Sequence, residues 1–345
     1  MKRLLLLSSD DRARYAEDVQ TALALPAGAP LQFRYRERWV TPTLQRAVPS
    51  GQAGGLPAIV GFVGSDKSRP FLLPIRYATV ARAEYVADMF IFKLRLGGYV
   101  NMQPFPLSQP DLMAKSRELI SQLESNGKGR FYPASSNFPQ MPEEVSDDVP
   151  DRWLATARRL ALHPTFANSY FLRVAPVETQ HGKELRFGSD GRIEAIDGQS
   201  LRIVTNLFGE QYAPDAEFKL TCSADDANLR VASDDLYQVS LRYDSVEFWL
   251  HSAPQSYDTY SRVKISLASE KAAAVTIPAN VPLDLVMRRS KSRTFRRWIA
   301  ASAGAVLVAL PAILGPGSPI QMRIAAALVG AGLLAFSGAV LSSPK

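Results

Sequence analysis

Cysteine is almost missing from this chain, with Cys222 the only one in 345 residues. A lone thiol excludes an intramolecular disulfide and fits a reducing compartment. Histidine is nearly as scarce. His163, His181 and His251 are too widely spaced to share a metal, and none has an acid or a cysteine at ligand spacing. The phosphate-cradling P-loop, the GxGxxG turn, the GxSxG elbow, HExxH and DxD are all absent. Residues 51–55 read GQAGG but lack the Lys-Ser/Thr that a phosphate loop requires, so they read as a plain loop. Ser8-Ser9-Asp10-Asp11 lies where a strand would feed a helix, yet two acids there disfavour a phosphate and fit N-capping. Cys222, inside the strand-like KLTCS, reads as a small buried residue. The expectation is a chain with no catalytic residue, metal or cofactor of a familiar kind. Internal repeats and low-complexity tracts are lacking too.

Acid is missing from one region alone. Residues 287–345 hold eight cations (Arg288, Arg289, Lys291, Arg293, Arg296, Arg297, Arg323 and Lys345) and no Asp or Glu. The net charge of +7, from 40 Lys+Arg and 33 Asp+Glu, belongs to this tail; the rest carries 32 cations against 33 acids. Such a distribution removes the compositional argument for a DNA-binding protein, whose charge would spread over a folded face.

The tail also holds two uncharged apolar runs, Trp298–Leu314 of 17 residues and Ile324–Leu341 of 18, separated by Gly315-Pro316-Gly317-Ser318-Pro319. As helices each reaches roughly 26 Å, near the thickness of a bilayer core. The sequence therefore predicts a two-helix transmembrane hairpin. Arg288, Arg289, Lys291, Arg293, Arg296 and Arg297 form its cationic collar on anionic lipids, and Trp298 sits at the interface. Under the positive-inside rule both termini face the cytoplasm, giving an inner-membrane protein with two spans. Met1-Lys2-Arg3 and Leu4–Leu7 mimic an export signal, but the apolar core is too short. Ala301, Ala305, Ala309 and Ala327, Ala331, Ala335, Ala339, with Gly330, Gly332 and Gly338 nearby, let helix backbones approach closely. They serve either the hairpin's own contact or a homo-oligomer.

Ahead of the tail the pattern is mostly β within an α+β class. Residues 1–126 read as an α/β or barrel-like domain with a curved sheet. Lys2–Ser8 is a strand, Arg12–Leu25 a helix, and Leu31–Val40, Pro57–Gly64, Phe71–Val86 and Met89–Val100 are further strands with aromatic inner faces. Pro110–Glu124 reads as a helix. Residues 127–165 form a linker with one helix, Pro150–Leu162, and residues 166–287 a β-sandwich whose short strands and turns resemble an immunoglobulin-like plan. Ser189-Asp190-Gly191 and Asp197-Gly198 mark hairpin turns. Segments 288–297, 298–314 and 324–341 are the basic segment and the two spans.

One cluster rises above this background. Arg34, Arg36 and Arg38 alternate along one strand, and Arg76, Arg82, Lys93 and Arg95 lie on neighbouring ones. If the strands pair, they build a cationic face. Guanidinium forks bind phosphates and carboxylates bidentately, so the candidate ligand is anionic: a nucleotide signal, a nucleic-acid segment or an acidic partner peptide. The combined reading is a non-enzymatic, membrane-anchored sensor or effector. Its first domain binds, its sandwich relays or oligomerises, and its hairpin anchors and perturbs the bilayer. Bacterial defence effectors with paired membrane helices share this layout, with no residue motif in support. The alternative is a passive inner-membrane scaffold that recruits partners.

Overall fold

A computed structural model describes residues 3–10, 12–66, 69–100, 134–136, 150–210, 217–253, 257–269, 271, 276–313 and 319–339. The chain opens on RLLLLSS, strand β1 (Arg3–Ser9), whose four leucines are all buried. Helix α1 (Ala13–Ala24) follows, then β2 (Pro30–Arg36), a short 3-10 turn (Glu37–Trp39) and α2 (Pro42–Ala47), whose Pro42 sits at the helix start. The alternating apolar run then gives β3 (Pro57–Asp66), β4 (Arg69–Val86) and β5 (Met89–Tyr99), and β6 is Ala134–Ser136. The expected helix Pro110–Glu124 lies outside the described residues.

These six strands make one sheet in the order β2-β5-β4-β3-β1-β6, with β1 and β3 parallel. The sheet is a half-barrel. Tyr35 on β2 donates its hydroxyl to the Leu7 carbonyl on β1 at 3.1 Å, although three strands separate the two in the sheet. Only strong curling brings them together. Register shifts between Val60 and Gly61, between Arg76 and Ala78 and between Val80 and Arg82 supply that curvature, as bulges do. At Gly61 a Cβ would stand 2.9 Å from the Leu73 carbonyl oxygen, so the bend there needs glycine. The β4–β5 hairpin turns on Ala87 and Asp88, both at positive φ (49° and 62°), the primed geometry that suits strand twist.

Helix α3 (Pro150–Ala161) begins on a proline and ends with Arg158 and Arg159, as the helix dipole favours. It packs the fully buried Trp153 beside Leu5, Leu7, Phe62 and Phe166. The remaining strands form two facing sheets. One comprises β7 (Tyr170–Val174), β8 (Glu178–Thr179), β10 (Ser200–Gly209), β12 (Leu229–Val231) and β14 (Tyr243–Ser252). The other comprises β9 (Ile193–Ile196), β11 (Phe218–Ala224), β13 (Leu236–Gln238), β15 (Thr259–Ser269) and β16 (Ala279–Arg288). Strict alternation drives the burial: Val263, Ile265 and Leu267 on β15 meet Val281, Leu283 and Leu285 on β16 in the core. Each such side chain contributes about 1.5–3 kcal/mol on burial. The Asp190-Gly191 turn, with Gly191 at φ +79°, folds Phe187 back on Ile193, whereas Asp197-Gly198, with Gly198 at φ +70°, is no hairpin: it carries the chain from β9 in one sheet to β10 in the other.

Helix α1 is held between the half-barrel and these sheets. Gln20 Nε2 donates to the Tyr170 carbonyl at 3.4 Å, and Thr21 Oγ1 donates to the Asn280 carbonyl at 3.2 Å. Around it, one continuous apolar core runs from Leu4, Phe33 and Phe92 to Leu207, Phe248 and Ile265.

The tail forms α4 (Lys291–Ile313) and α5 (Ile320–Ala339), packed against each other where Gly330 meets the Val308 backbone and the Gly304 carbonyl. Among the described residues no helix is long and apolar enough to cross a membrane. The expected transmembrane hairpin is corrected accordingly, together with its two-span inner-membrane placement and cytoplasmic termini. Charge opens both helices. Helix α4 carries Lys291, Arg293, Arg296 and Arg297 in its first two turns, and 16 uncharged described residues follow, Trp298 to Ile313. Helix α5 has Arg323 in its first turn and then also 16, Ile324 to Ala339. At 1.5 Å per residue each uncharged segment is about 24 Å, short of the ~20 residues and ~30 Å that a span needs. The residues assigned to the collar are placed as follows. Arg288 closes β16, pairing with Glu194 at 2.8 Å and Asp258 at 2.9 Å, and the Arg289 amide donates to Asp258. Lys291, Arg293, Arg296 and Arg297 belong to α4, and Trp298 on the same helix is exposed.

Candidate anion-binding face

Strands β2 and β5 pair in antiparallel register, Pro30 opposite Arg95, Gln32 opposite Lys93 and Arg34 opposite Ile91; β4 sets Arg82 opposite Lys93 and Glu84 opposite Ile91. Directly opposed residues share a face. Arg34, Arg36, Arg82, Lys93 and Arg95 therefore stand together on one side of the sheet, all exposed. On the other side Phe33, Phe90, Phe92 and Leu94 are buried.

Glu84 is the carboxylate of this face, 2.6 Å from Arg82 Nε and 3.4 Å from Lys93 Nζ. Arg95 donates to the Gly188 carbonyl at 2.9 Å, which ties the half-barrel to the following sheets. With its amide turned so that the oxygen faces the guanidinium, Gln32 accepts from Arg34 Nε at 2.7 Å. Among the described residues no carboxylate pairs with Arg34 or Arg36. The excess of positive charge is thus concentrated at the β2 end. Beyond it, the Tyr85 hydroxyl donates to Glu37 at 2.9 Å and Asp88 at 3.3 Å; the hydrogen bond to Glu37 is the first cause that pushes its pKa up to about 12.

Two of the expected residues lie elsewhere. Strand β2 ends at Arg36 instead of running to Val40, so Arg38 belongs to the 3-10 turn, its guanidinium 5.4 Å from the Trp39 ring centre. Arg76 is fully buried. It donates to the Gly97 carbonyl at 2.9 Å, reaches the Ala22 and Leu25 carbonyls at the end of α1, and lies 4.4 Å over the Tyr99 ring. A guanidinium at a helix C-terminus meets the negative end of the dipole, so Arg76 holds the fold. Its neighbour in the chain that does reach the exposed face, Arg82, gets there because β4 carries an extra residue at Ala81. Val80 pairs with Leu94 and Arg82 with the very next residue, Lys93, so Val80 points in and Arg82 out.

The other reactive side chains are occupied structurally. Cys222 is buried, and desolvation pushes its thiol up to about 12, too high for a nucleophile at neutral pH. His163 accepts at Nδ1 from the Thr165 amide and packs on Phe62, with Asp10 3.7 Å from Nε2. The His251 ring is 2.6 Å from the Ser200 hydroxyl. Among the described residues no three His, Cys, Asp or Glu side chains are grouped to hold a metal. Sequence reasoning missed Asp18, on α1 near Tyr35: burial, ahead of the opposing effect of Arg14, pushes its pKa up to about 6.

No family model matches the chain, and no curated protein does. Among solved structures it is similar to the periplasmic chaperone SfaE (10% identity, 29% of this chain, 56% of that one, TM-score 0.22) and to the E. coli chaperone DraB (11%, 28%, 52%, 0.21). A conjugative transposon lipoprotein from Bacteroides eggerthii is matched at 10% identity over 34% of this chain and 95% of that one, with a TM-score of 0.23. The chain spans about half the length of the first two. At such scores these likenesses carry no argument about what this chain does.

Proposed function

We propose that this chain is a non-enzymatic binding protein whose half-barrel engages an anionic partner through Arg34, Arg36, Arg82 and Lys93. The observation in support is the convergence of these four cations on one exposed sheet face where Glu84 is the described counter-ion. Glu84 engages Arg82 and Lys93 and Gln32 accepts from the Nε side of Arg34, so the remaining edge of Arg34 and the fork of Arg36 meet a carboxylate or phosphate. Charge-assisted bonds to such groups are about twice as strong as neutral ones. The inert thiol of Cys222 and the structural settings of His163 and His251 favour binding over chemistry.

Calorimetric titration with inorganic tripolyphosphate and with a Glu-rich peptide tests this. At least one should bind, more weakly as salt rises, and Arg34→Ala with Arg36→Ala should weaken it by roughly tenfold or more, the equivalent of about 1.4 kcal/mol. Unchanged affinity in the double variant, or no binding of either probe to the unaltered chain, refutes the reading.

A further inference from the structure

Strand β2 ends the sheet, and its backbone bonds show which way each residue faces. The Leu96 amide donates to the Ala29 carbonyl at 2.9 Å, and the Glu37 amide to the Asp88 carbonyl at 3.2 Å. In an antiparallel ladder, residues that bond one neighbour alternate with residues whose N–H and C=O point away from it. Positions 29, 31, 33, 35 and 37 therefore face β5. The backbones of Gln32, Arg34 and Arg36 face the open side, where no described residue bonds to them. Pro30, the first outward position, has no N–H to leave unmet, a common protection at a strand end.

The exposed arginines and the unused backbone groups are thus on the same residues. We infer that the open edge of β2 takes up an extended acidic segment of a partner protein as a further strand, a proposal that rests on the anionic-partner reading above. The backbone of Gln32, Arg34 and Arg36 supplies the ladder. An incoming strand places alternate side chains beside Arg34 and Arg36 on the exposed face, within ion-pairing reach. Seven residues of β2 span roughly 23 Å, enough to seat a peptide of that length. Charge selects the occupant. A second copy pairing edge to edge would set arginine against arginine, which opposes self-association, whereas Glu or Asp at every second position is complementary. This mode of recognition draws affinity from main-chain bonds and specificity from alternate side chains.

The test uses the full chain and the peptide acetyl-Glu-Val-Glu-Val-Glu-Val-Glu-amide. Binding is followed by fluorescence anisotropy of a labelled copy. Gln32→Pro removes one outward N–H and keeps every cation; Gln32→Ala controls for the lost side chain. Expected is affinity about tenfold or more weaker in Gln32→Pro than in Gln32→Ala, which shares the loss of the side chain and its bond to Arg34. As a check independent of folding, the peptide methylated on alternate backbone nitrogens should lose binding to the unaltered chain in one of its two methylation registers. Equal affinity of both methylated peptides and of Gln32→Pro would overturn strand addition. The cationic-face reading would survive if Arg34→Ala with Arg36→Ala still abolished binding, and would fall with it if not. A concentration-dependent dimer that Gln32→Pro abolishes would overturn the acidic partner in favour of a second copy.

Discussion

Replacing Arg76 by alanine should unlock the end of helix α1 from the sheet. The guanidinium is fully buried and serves several acceptors at once: the Gly97 carbonyl on β5 and the Ala22 and Leu25 carbonyls that terminate α1. Hydrogen bonds to a charged group contribute about 1.5–3 kcal/mol each, and they are not additive here because one side chain makes them all. Truncation also leaves those carbonyls buried without the donor and opens a cavity beside Tyr99. Breaking one partner of a buried charged network typically destabilises by 3–5 kcal/mol, so about 4 kcal/mol is expected, a large part of the ~5–15 kcal/mol that holds a protein of this kind. Arg76→Lys keeps the charge but, as a point donor, cannot span β5 and α1 together, so about half the loss remains. Urea unfolding followed by far-ultraviolet circular dichroism reads both. A change below about 1 kcal/mol in Arg76→Ala would refute the claim that this side chain fastens the helix to the sheet.

Asp18 should make stability pH-dependent. Its pKa in the fold is about 6, above the ordinary 3.8, so the unfolded chain loses this proton first. Its effect is therefore to lower stability as pH rises from about 4 to 6, with the loss constant above that. Asp18→Asn should remove that slope and stabilise the protein near pH 7 by about 1–2 kcal/mol, a figure discounted for the group's partial exposure; an unchanged melting profile between pH 4 and 7 would contradict it. Gly61→Ala should cost about 1–3 kcal/mol, because the new methyl meets the Leu73 carbonyl at 2.9 Å; thermal melting within error of the parent would show that the bend gives way.

Much of the half-barrel was legible because its strands alternate cleanly. Phe90, Phe92 and Leu94 against Lys93 and Arg95 announce both a strand and its two sides. Arg34 and Arg36 were readable as exposed for the same reason. Arg38 is exposed too, but its departure from the strand was not legible, since nothing in the run RYRERW marks where strand gives way to a 3-10 turn. Arg76 was misplaced because periodicity assumes an unbroken register: Arg76 and Arg82 are six residues apart, and even spacing puts them on one side. The extra residue at Ala81 places them on opposite sides. The second helix, Pro42–Ala47, is too short for a periodic signal. In the tail, apolar composition was legible, but the start of helix α4 at Lys291 was not: the sequence reading kept the cations outside the helix, and they form its first two turns. The open side of β2 is a property of strand order, which composition does not encode.

The bulge at Ala81 also decides where this strand can be shortened. Removing that single amino acid leaves Val80 opposite Leu94 and Arg82 opposite Lys93, so every later side chain keeps its side and only the local kink is lost. Removing Ala83 instead, where the ladder is regular, would bring Glu84 opposite Phe92 on the apolar side and turn Tyr85 out to water. Two deletions two positions apart would thus have opposite fates, one absorbed and one ruinous.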